Sequence, residues 1–265
     1  MDAKSYKGKT VPLNWKEVYF TNCPMVSANN IDQELGWCKT DFKHMGVDYS
    51  YFRSRRENDW YPHYIHNLDN LIRFGGLYPP IEVNADIRRT RLLGATWVYE
   101  GGCMMVRADD PIDKMSDLKG KRIGLSKSQN TIKNDWWRIN EHMGIDSMLR
   151  VNDMTMDDVE IVEFPYPDDW YDKPEMLDPM INPTDVWGRR DHKHDLAFRP
   201  LEMALLEGKV DAIYTLSKVF QHLQEDTAKI KAIEDLSRYP DWTLQVANTP
   251  AVITCTEEMA AEHPE

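Results

Sequence analysis

No apolar run in this sequence reaches the roughly 18–20 residues that a membrane-spanning helix needs. The opening stretch, MDAKSYKGKTVPLNWKEV, has no apolar centre of the kind a secretory signal carries. The first absence excludes a membrane span; the second predicts a cytoplasmic location. Positive charge is in short supply. The 32 Lys and Arg against 44 Asp and Glu leave a net charge of -12, a field that repels nucleic acid and anionic membranes. A small anionic ligand would need a local positive site. Cysteine is sparse as well. The four are Cys23, Cys38, Cys103 and Cys255, and their spacing fits neither a zinc site nor a CxxC redox pair. Without a signal, reduced thiols in the cytosol are expected. Also missing are a Walker loop, GxGxxG, GxSxG and HExxH, which removes the motif-based case for nucleotide, hydrolase-elbow and zincin chemistry.

What is present is an alternation of strand and helix patterns over 265 residues, 42% of them hydrophobic, enough for one large domain or two small ones. Glu17 to Thr21 reads as a buried first strand. Pro24 stops it, Ser27 can cap a helix to about Met45, and Gly46 ends that helix. Val47 to Phe52 reads as the second strand. Residues 53–61 read as loop, Pro62 to Ile72 as a helix ending before Phe74-Gly75-Gly76, and Pro79-Pro80 as the start of another. Strand patterns follow at Thr90 to Tyr99, Cys103 to Arg107 and Lys121 to Leu125. A helix is expected over Asn130 to Met143 and a strand over Val159 to Phe164. The stretch 165–195 is rich in Pro, Asp and Trp and longer than ordinary connections, a pattern common in lids and binding loops. Beyond it, Arg199 to Leu206 is helical, Val210 to Thr215 a strand, and a helix runs to about Thr227. Ala232 to Leu236, Leu244 to Ala247 and Val252 to Thr254 are strand-like. Such alternation predicts an α/β fold with a largely parallel sheet. Cys23 then stands just past the carboxyl end of the first strand, where open α/β sheets bind ligands.

The run from Cys103 to Ser126, with its DDPIDKMSDLKGKRIGLS string, and the segment ALLEGKVDAIYT resemble the ABC-type sulfonate/nitrate solute-binding proteins. That resemblance implies a type-2 periplasmic-binding-protein-like fold, two α/β lobes with a ligand cleft between them. Carried onto this chain, the first lobe is 1–103, the second 104–244, and 245–265 returns to the first, whose completion is expected to extend past residue 265. Thr256 reads as the cap of a closing helix, with Glu257 and Glu258 in its first turn.

Three narrower features lie in the first lobe. Thr21-Asn22-Cys23-Pro24 follows the first strand, His63 precedes Arg73 by ten residues, and Arg73-Phe74-Gly75-Gly76 leads to Pro79-Pro80 and Arg89-Thr90-Arg91-Leu92-Leu93-Gly94. Together they resemble the 2'-hydroxybiphenyl-2-sulfinate desulfinases. The resemblance implies hydrolytic cleavage of the C–S bond of an aryl sulfinate with release of sulfite, and no metal or organic cofactor. It implies Cys23, His63 and Arg73 as catalytic residues, with Gly75, Gly76, Asn22 and His66 beside the substrate.

The chemistry of those residue types is compatible. A thiol between a strand end and a helix N-terminus, near an Arg, is placed to act as thiolate. It could attack the sulfinate sulfur or deliver a proton to the ipso carbon, and the residues do not choose. Arg73 could clamp a sulfinate through two parallel N–H bonds, and Gly75 and Gly76 let backbone N–H groups come close. His63 could polarise the thiol, with His66 a rival three residues on. Bland roles stand beside each: Cys23 as a small buried thiol, Arg73 as a solvated residue before a turn, His63 as a surface or capping histidine. His63, His66 and Asp69 at i, i+3, i+6 could in principle present a metal, but no fourth ligand is evident. His192-Lys193-His194 reads as a solvated turn, and Trp136, Trp137, Trp170 and Trp187 as packing anchors or substrate contacts. The second reading of the whole is a solute-binding protein for a sulfonate or related organic anion, without turnover. Both readings make a small organic anion the partner.

Overall fold

A computed structural model describes residues 16–23, 28–52, 61–96, 101–129, 134–166, 199–241, 244 and 251–264. The expectations for Ser27, 53–60, 130–133, 245–247 and nearly all of the long stretch 165–195, with Trp170, Trp187, His192 and His194, lie outside those residues.

The chain opens with β1 (Glu17–Asn22), whose residues are almost all buried. A strand flanked on both sides needs apolar residues on both of its faces, and β1 is so flanked. It pairs in parallel with β2 (Asp48–Tyr51) and with β3 (Leu71–Gly76). Between β1 and β2 come two helices, α1 (Ala28–Leu35) and α2 (Trp37–His44). The single helix expected here is broken at Gly36, whose φ of 69° lies in the left-handed region open to glycine. Phe42 of α2 stacks on Tyr49, and Tyr49 on Phe20, closing the core on that face of the sheet.

β3 corrects the expected course of the chain. The helix predicted from Pro62 to Ile72 is confined to α3 (Tyr61–Ile65), and Leu71 to Gly76 is a strand beside β1. Then α4 (Tyr78–Asp86) leads to β4 (Thr90–Thr96). The first sheet has the order β2-β1-β3-β10-β4, where β10 (Ala251–Thr256) runs antiparallel to both neighbours. After it comes α8 (Glu257–Glu262), capped by Thr256 as expected: its hydroxyl accepts from the Met259 N–H.

The second sheet comprises β5 (Cys103–Arg107), β6 (Arg122–Ser128), β7 (Glu160–Tyr166), β8 (Ala212–Thr215) and β9 (Ile230–Asp235), in the order β7-β6-β8-β5-β9. Here β5 is the antiparallel member. Each sheet is thus largely parallel with one antiparallel strand, and for one reason. The strand that follows each passage between sheets, β5 or β10, enters fourth in its new sheet and runs against its neighbours. The two passages fall between Thr96 and Cys103 and between Asp235 and Ala251.

Both faces of the second sheet are covered. Alternation in β5 sends Met104 and Val106 to one core and Met105 to the other. The first core packs α5 (Trp136–Val151), the second α6 (Pro200–Leu206) and α7 (Ser217–Thr227). The helix expected over Asn130 to Met143 starts at Trp136, where Asp135 accepts from the Arg138 N–H. It continues through Gly144 to Val151. A Cβ on Gly144 would sit 2.3 Å from the ring of Tyr214, so this mid-helix glycine provides close helix–strand contact. Among the described residues no helix is long and apolar enough to cross a membrane.

Gly144→Ala is a direct test of that contact. Alanine is the better helix former by about 1 kcal/mol, yet the methyl group has no space against Tyr214. Urea unfolding should show a net loss of about 1–3 kcal/mol, the usual cost of overpacking.

Candidate functional site

The register of the first sheet builds the site. Thr21 on β1, Arg73 on β3 and Thr254 on β10 stand in one row across the sheet, and Cys23 follows next to Gly75, with its N–H donating to the Phe74 carbonyl at 3.0 Å. Because side chains alternate along a strand, Thr21 and Cys23 share a face with Arg73 and Gly75. The helix α3 covers that face. Its His63 Nε2 lies 3.2 Å from Cys23 Sγ, in hydrogen-bond contact. His63 is 2% exposed and Arg73 1%, while Cys23 keeps partial access to solvent.

Gly75 makes the approach of thiol and guanidinium feasible. A Cβ there would stand 2.5 Å from Cys23 Sγ and 3.0 Å from Arg73 Nη2. Both groups therefore converge on the space that a side chain would fill. Arg73 donates through Nε to the His63 carbonyl at 2.6 Å and through Nη1 to the Gly76 carbonyl at 2.8 Å. The expected clamp by two parallel N–H bonds is modified accordingly. Its Nε–Nη2 edge is blocked by the His63 carbonyl, and Nη2 borders the space above Gly75 that the thiol also borders. Burial pulls the guanidinium pKa down, while the neighbouring Cys23 and Tyr64 act to raise it.

His66 goes elsewhere. Fully buried, it places Nε2 3.0 Å from the hydroxyl of Thr254, and its carbonyl accepts from Arg88 Nη1 at 3.2 Å. Burial, then the charges of Arg73 and Arg88, hold its pKa well below 6.5, so the ring is neutral. It is not brought to Cys23, and a direct contact between His66 and substrate, as the sequence resemblance implied, does not fit its burial. Gly76 serves through its carbonyl on Arg73, and Asn22 is a buried residue at the end of β1. The metal-like triplet also disperses: His63 turns to Cys23, His66 to Thr254 and Asp69 to Arg88. Among the described residues no three His, Cys, Asp or Glu side chains gather as a metal site.

Two features escaped the sequence reading. Thr254 is 188 residues from His66; the only local signal is a threonine in the middle of a mostly buried strand. The second is a buried charge cluster in the second sheet's layer. Glu141 on α5 accepts from the Ser126 N–H at 2.7 Å, the Ser126 hydroxyl at 3.0 Å and Arg199 Nη1 at 2.8 Å. Arg199 also pairs with Glu202 and lies over the Trp137 ring, 3.7 Å from its centroid. Burial pushes the Glu141 carboxyl up to about 7 against the pull of Arg199 and Ser126.

In fold the chain is similar to periplasmic sulfonate-binding proteins. The periplasmic sulfonate-binding protein SsuA of Methylobacillus flagellatus KT superposes with a TM-score of 0.59 at 15% identity, over 94% of this chain and 64% of that one. The aliphatic sulphonate-binding SsuA of Escherichia coli gives 0.57 at 12%, over 94% and 68%. Residues 95–170 match the family described as NMT1/THI5 like. More particularly, the chain is similar to 2'-hydroxybiphenyl-2-sulfinate desulfinase of Rhodococcus erythropolis, 31% identical over 112 residues. That alignment takes in 41% of this chain and only 28% of the relative's length. A cysteine-to-serine mutant of the desulfurization enzyme DSZB, in complex with biphenyl-2-sulfinic acid, superposes with a TM-score of 0.58 at 22% identity, over 94% of this chain and 71% of that one. The resemblances read from the sequence are borne out as similarity in sequence and fold.

Two outcomes test this geometry. In Gly75→Ala the added methyl must displace Cys23 Sγ, so the rate of Cys23 alkylation by iodoacetamide should change while that of Cys38 does not. The carboxyl of Glu141 predicts a pH effect. Its folded pKa of about 7 exceeds the ordinary 4.5, so between those values the folded state holds a proton that the unfolded chain releases. Its contribution to stability is present below 4.5 and is lost as pH rises through 7. Glu141→Gln should lose less stability than the wild type between pH 5 and pH 8 in urea unfolding.

Proposed function

We propose that this protein cleaves the C–S bond of an organic sulfinate. The balanced reaction converts a sulfinate anion and water into the hydrocarbon and hydrogen sulfite. Carbon gains a proton, sulfur gains hydroxide, and no electrons are exchanged with an external donor. The observation that carries the reading is the contact between Cys23 Sγ and His63 Nε2 at 3.2 Å beside the buried Arg73. A ligand-binding cleft has no need of a thiol paired with an imidazole, whereas bond cleavage does.

Each group has a role that its position supports. Cys23 is the partly exposed member and supplies either the nucleophile or the proton. His63 exchanges a proton with the thiol. Arg73 provides fixed positive charge in a chain of net charge -12, with Nη2 beside the space above Gly75, and its burial strengthens the attraction for an anion. A non-catalytic reading, binding of a sulfonate or related anion, draws support from the superposition on SsuA proteins. That likeness concerns the scaffold, and function resides in the site.

Cys23→Ser separates the two. Serine is nearly isosteric but a poor nucleophile without an activating base. Sulfite release from aryl and alkyl sulfinates should vanish in the variant while calorimetric binding of the same anion persists. Sulfite release at the wild-type rate in Cys23→Ser would remove the thiol from the chemistry. A wild type that binds sulfinate and never releases sulfite would establish the binding-only reading.

A further inference from the structure

We infer that His66 and Thr254 form a positioning pair that sets the His63 imidazole against the Cys23 thiol, so that β10 completes the site without touching the ligand. The helix α3 is only five residues long, too short to hold a defined orientation unaided. It is fixed to the sheet at three points. His63 bonds Cys23 on β1, the His63 carbonyl accepts from Arg73 on β3, and His66, just past the helix, bonds Thr254 on β10. Thr254 is itself the register partner of Arg73. The contacts therefore form a closed circuit through three strands and one short helix, in which two members act on the thiol and the His66–Thr254 bond holds the far end.

The backbone supports the assignment. His66 has a φ of 49°, a left-handed conformation that is uncommon for a residue with a side chain. Its N–H bonds the Pro62 carbonyl at 3.1 Å, which ends the helical turn there. Such a conformation persists where surrounding contacts over-determine it. Here they do: Thr254 holds the ring and Arg88 the carbonyl.

The charged groups around the pair are Arg73 from β3, Arg88 after α4, and Asp69 and Glu258, which Arg88 holds. Cys23 and His63 complete the set from β1 and α3. Near two arginines the His66 ring stays neutral, and a neutral ring can share a single hydrogen bond with a threonine hydroxyl at the core. The pair thus orients without adding charge beside the guanidinium.

The assignment deepens the proposed function, and its turnover arm rests on that reading. Its main readout does not. Alkylation of Cys23 by iodoacetamide is followed by peptide mass spectrometry from pH 6 to 9, with Cys38 as internal reference, in Thr254→Val, Thr254→Ser and His66→Asn. Valine keeps the shape of threonine and removes the hydroxyl; serine keeps the hydroxyl; asparagine tolerates the left-handed backbone. Thr254→Val and His66→Asn should each change the Cys23 profile and shift its rate at neutral pH by roughly five-fold, the factor expected for one ordinary hydrogen bond. Thr254→Ser should restore the wild-type profile, the double variant should match the single ones, and Cys38 should not respond. With sulfinate as substrate, kcat should fall at nearly constant KM. A folded Thr254→Val or His66→Asn with the wild-type Cys23 profile overturns the assignment, and either variant alone decides it. A shifted profile in a protein that never releases sulfite sustains the pair and overturns the desulfinase reading instead.

Discussion

The first sheet is organised around one buried charge. A guanidinium withdrawn from water in the middle of a sheet is costly unless its donors are taken up. The chain meets this with two backbone carbonyls, His63 at 2.6 Å and Gly76 at 2.8 Å. Those two bonds have consequences in sequence. The His63 carbonyl must face the sheet, so α3 ends close above it. The residue two beyond Arg73 lies on the same face and must leave room, so it is glycine. The thiol at the end of β1 then occupies that room. Charge, helix and thiol are three results of one solvation problem, and each is placed by the same few residues.

The second sheet meets the same problem by different means. Arg199 is also buried, but its partners are carboxylates, Glu141 and Glu202, with an aromatic face at Trp137. Two acids against one base leave an excess negative charge, and burial raises the Glu141 pKa toward neutrality in response. An arginine satisfied by carbonyls retains its full positive field for an anion; one satisfied by two carboxylates does not. The field available to an anion is therefore stronger at Arg73 than at Arg199, although both arginines are buried.

Much of this could be read from the amino-acid order, because several signals were local. The alternation of Met104, Met105 and Val106 marks a doubly covered strand, Thr256 with Glu257 and Glu258 marks a helix start, and Gly46 marks a helix end. The site was legible as a set of residue types with a resemblance behind it. Its geometry was not. Leu71 to Gly76 was misread because Phe74-Gly75-Gly76 has the composition of a turn; paired glycines in a strand are explained only by what approaches them, here Cys23 from a strand 50 residues earlier. The i, i+3 spacing predicts two histidines on one helix face, but α3 ends before His66, at a residue with φ of 49°. Thr254 carried only a weak signal, a threonine in a buried strand, since its partner is 188 residues away. The antiparallel entry of β5 and β10 is likewise a property of chain passage between sheets, to which local periodicity is blind.

A two-sheet scaffold shared with sulfonate-binding proteins of 12–15% identity does not by itself distinguish holding an anion from cleaving it. The physical difference is small and local. Holding requires donors and a field; cleavage requires, in addition, an atom that can change its protonation or bonding at the anion. In this chain that addition amounts to a cysteine at the end of β1, a glycine facing it and a histidine on a five-residue helix. None of the three alters the topology: Cys23 lies just past the paired register of β1, the glycine removes atoms, and the helix sits over the sheet. What they require is alignment, since a thiol–imidazole contact at 3.2 Å is lost with a displacement of about 1 Å, beyond which hydrogen bonding fails. That tolerance is far tighter than anion holding demands, because a charged field falls off slowly with distance. Under the proposed function it is therefore the precision of α3, and so the number of points at which α3 is fixed, that would separate cleaving an anion from holding one.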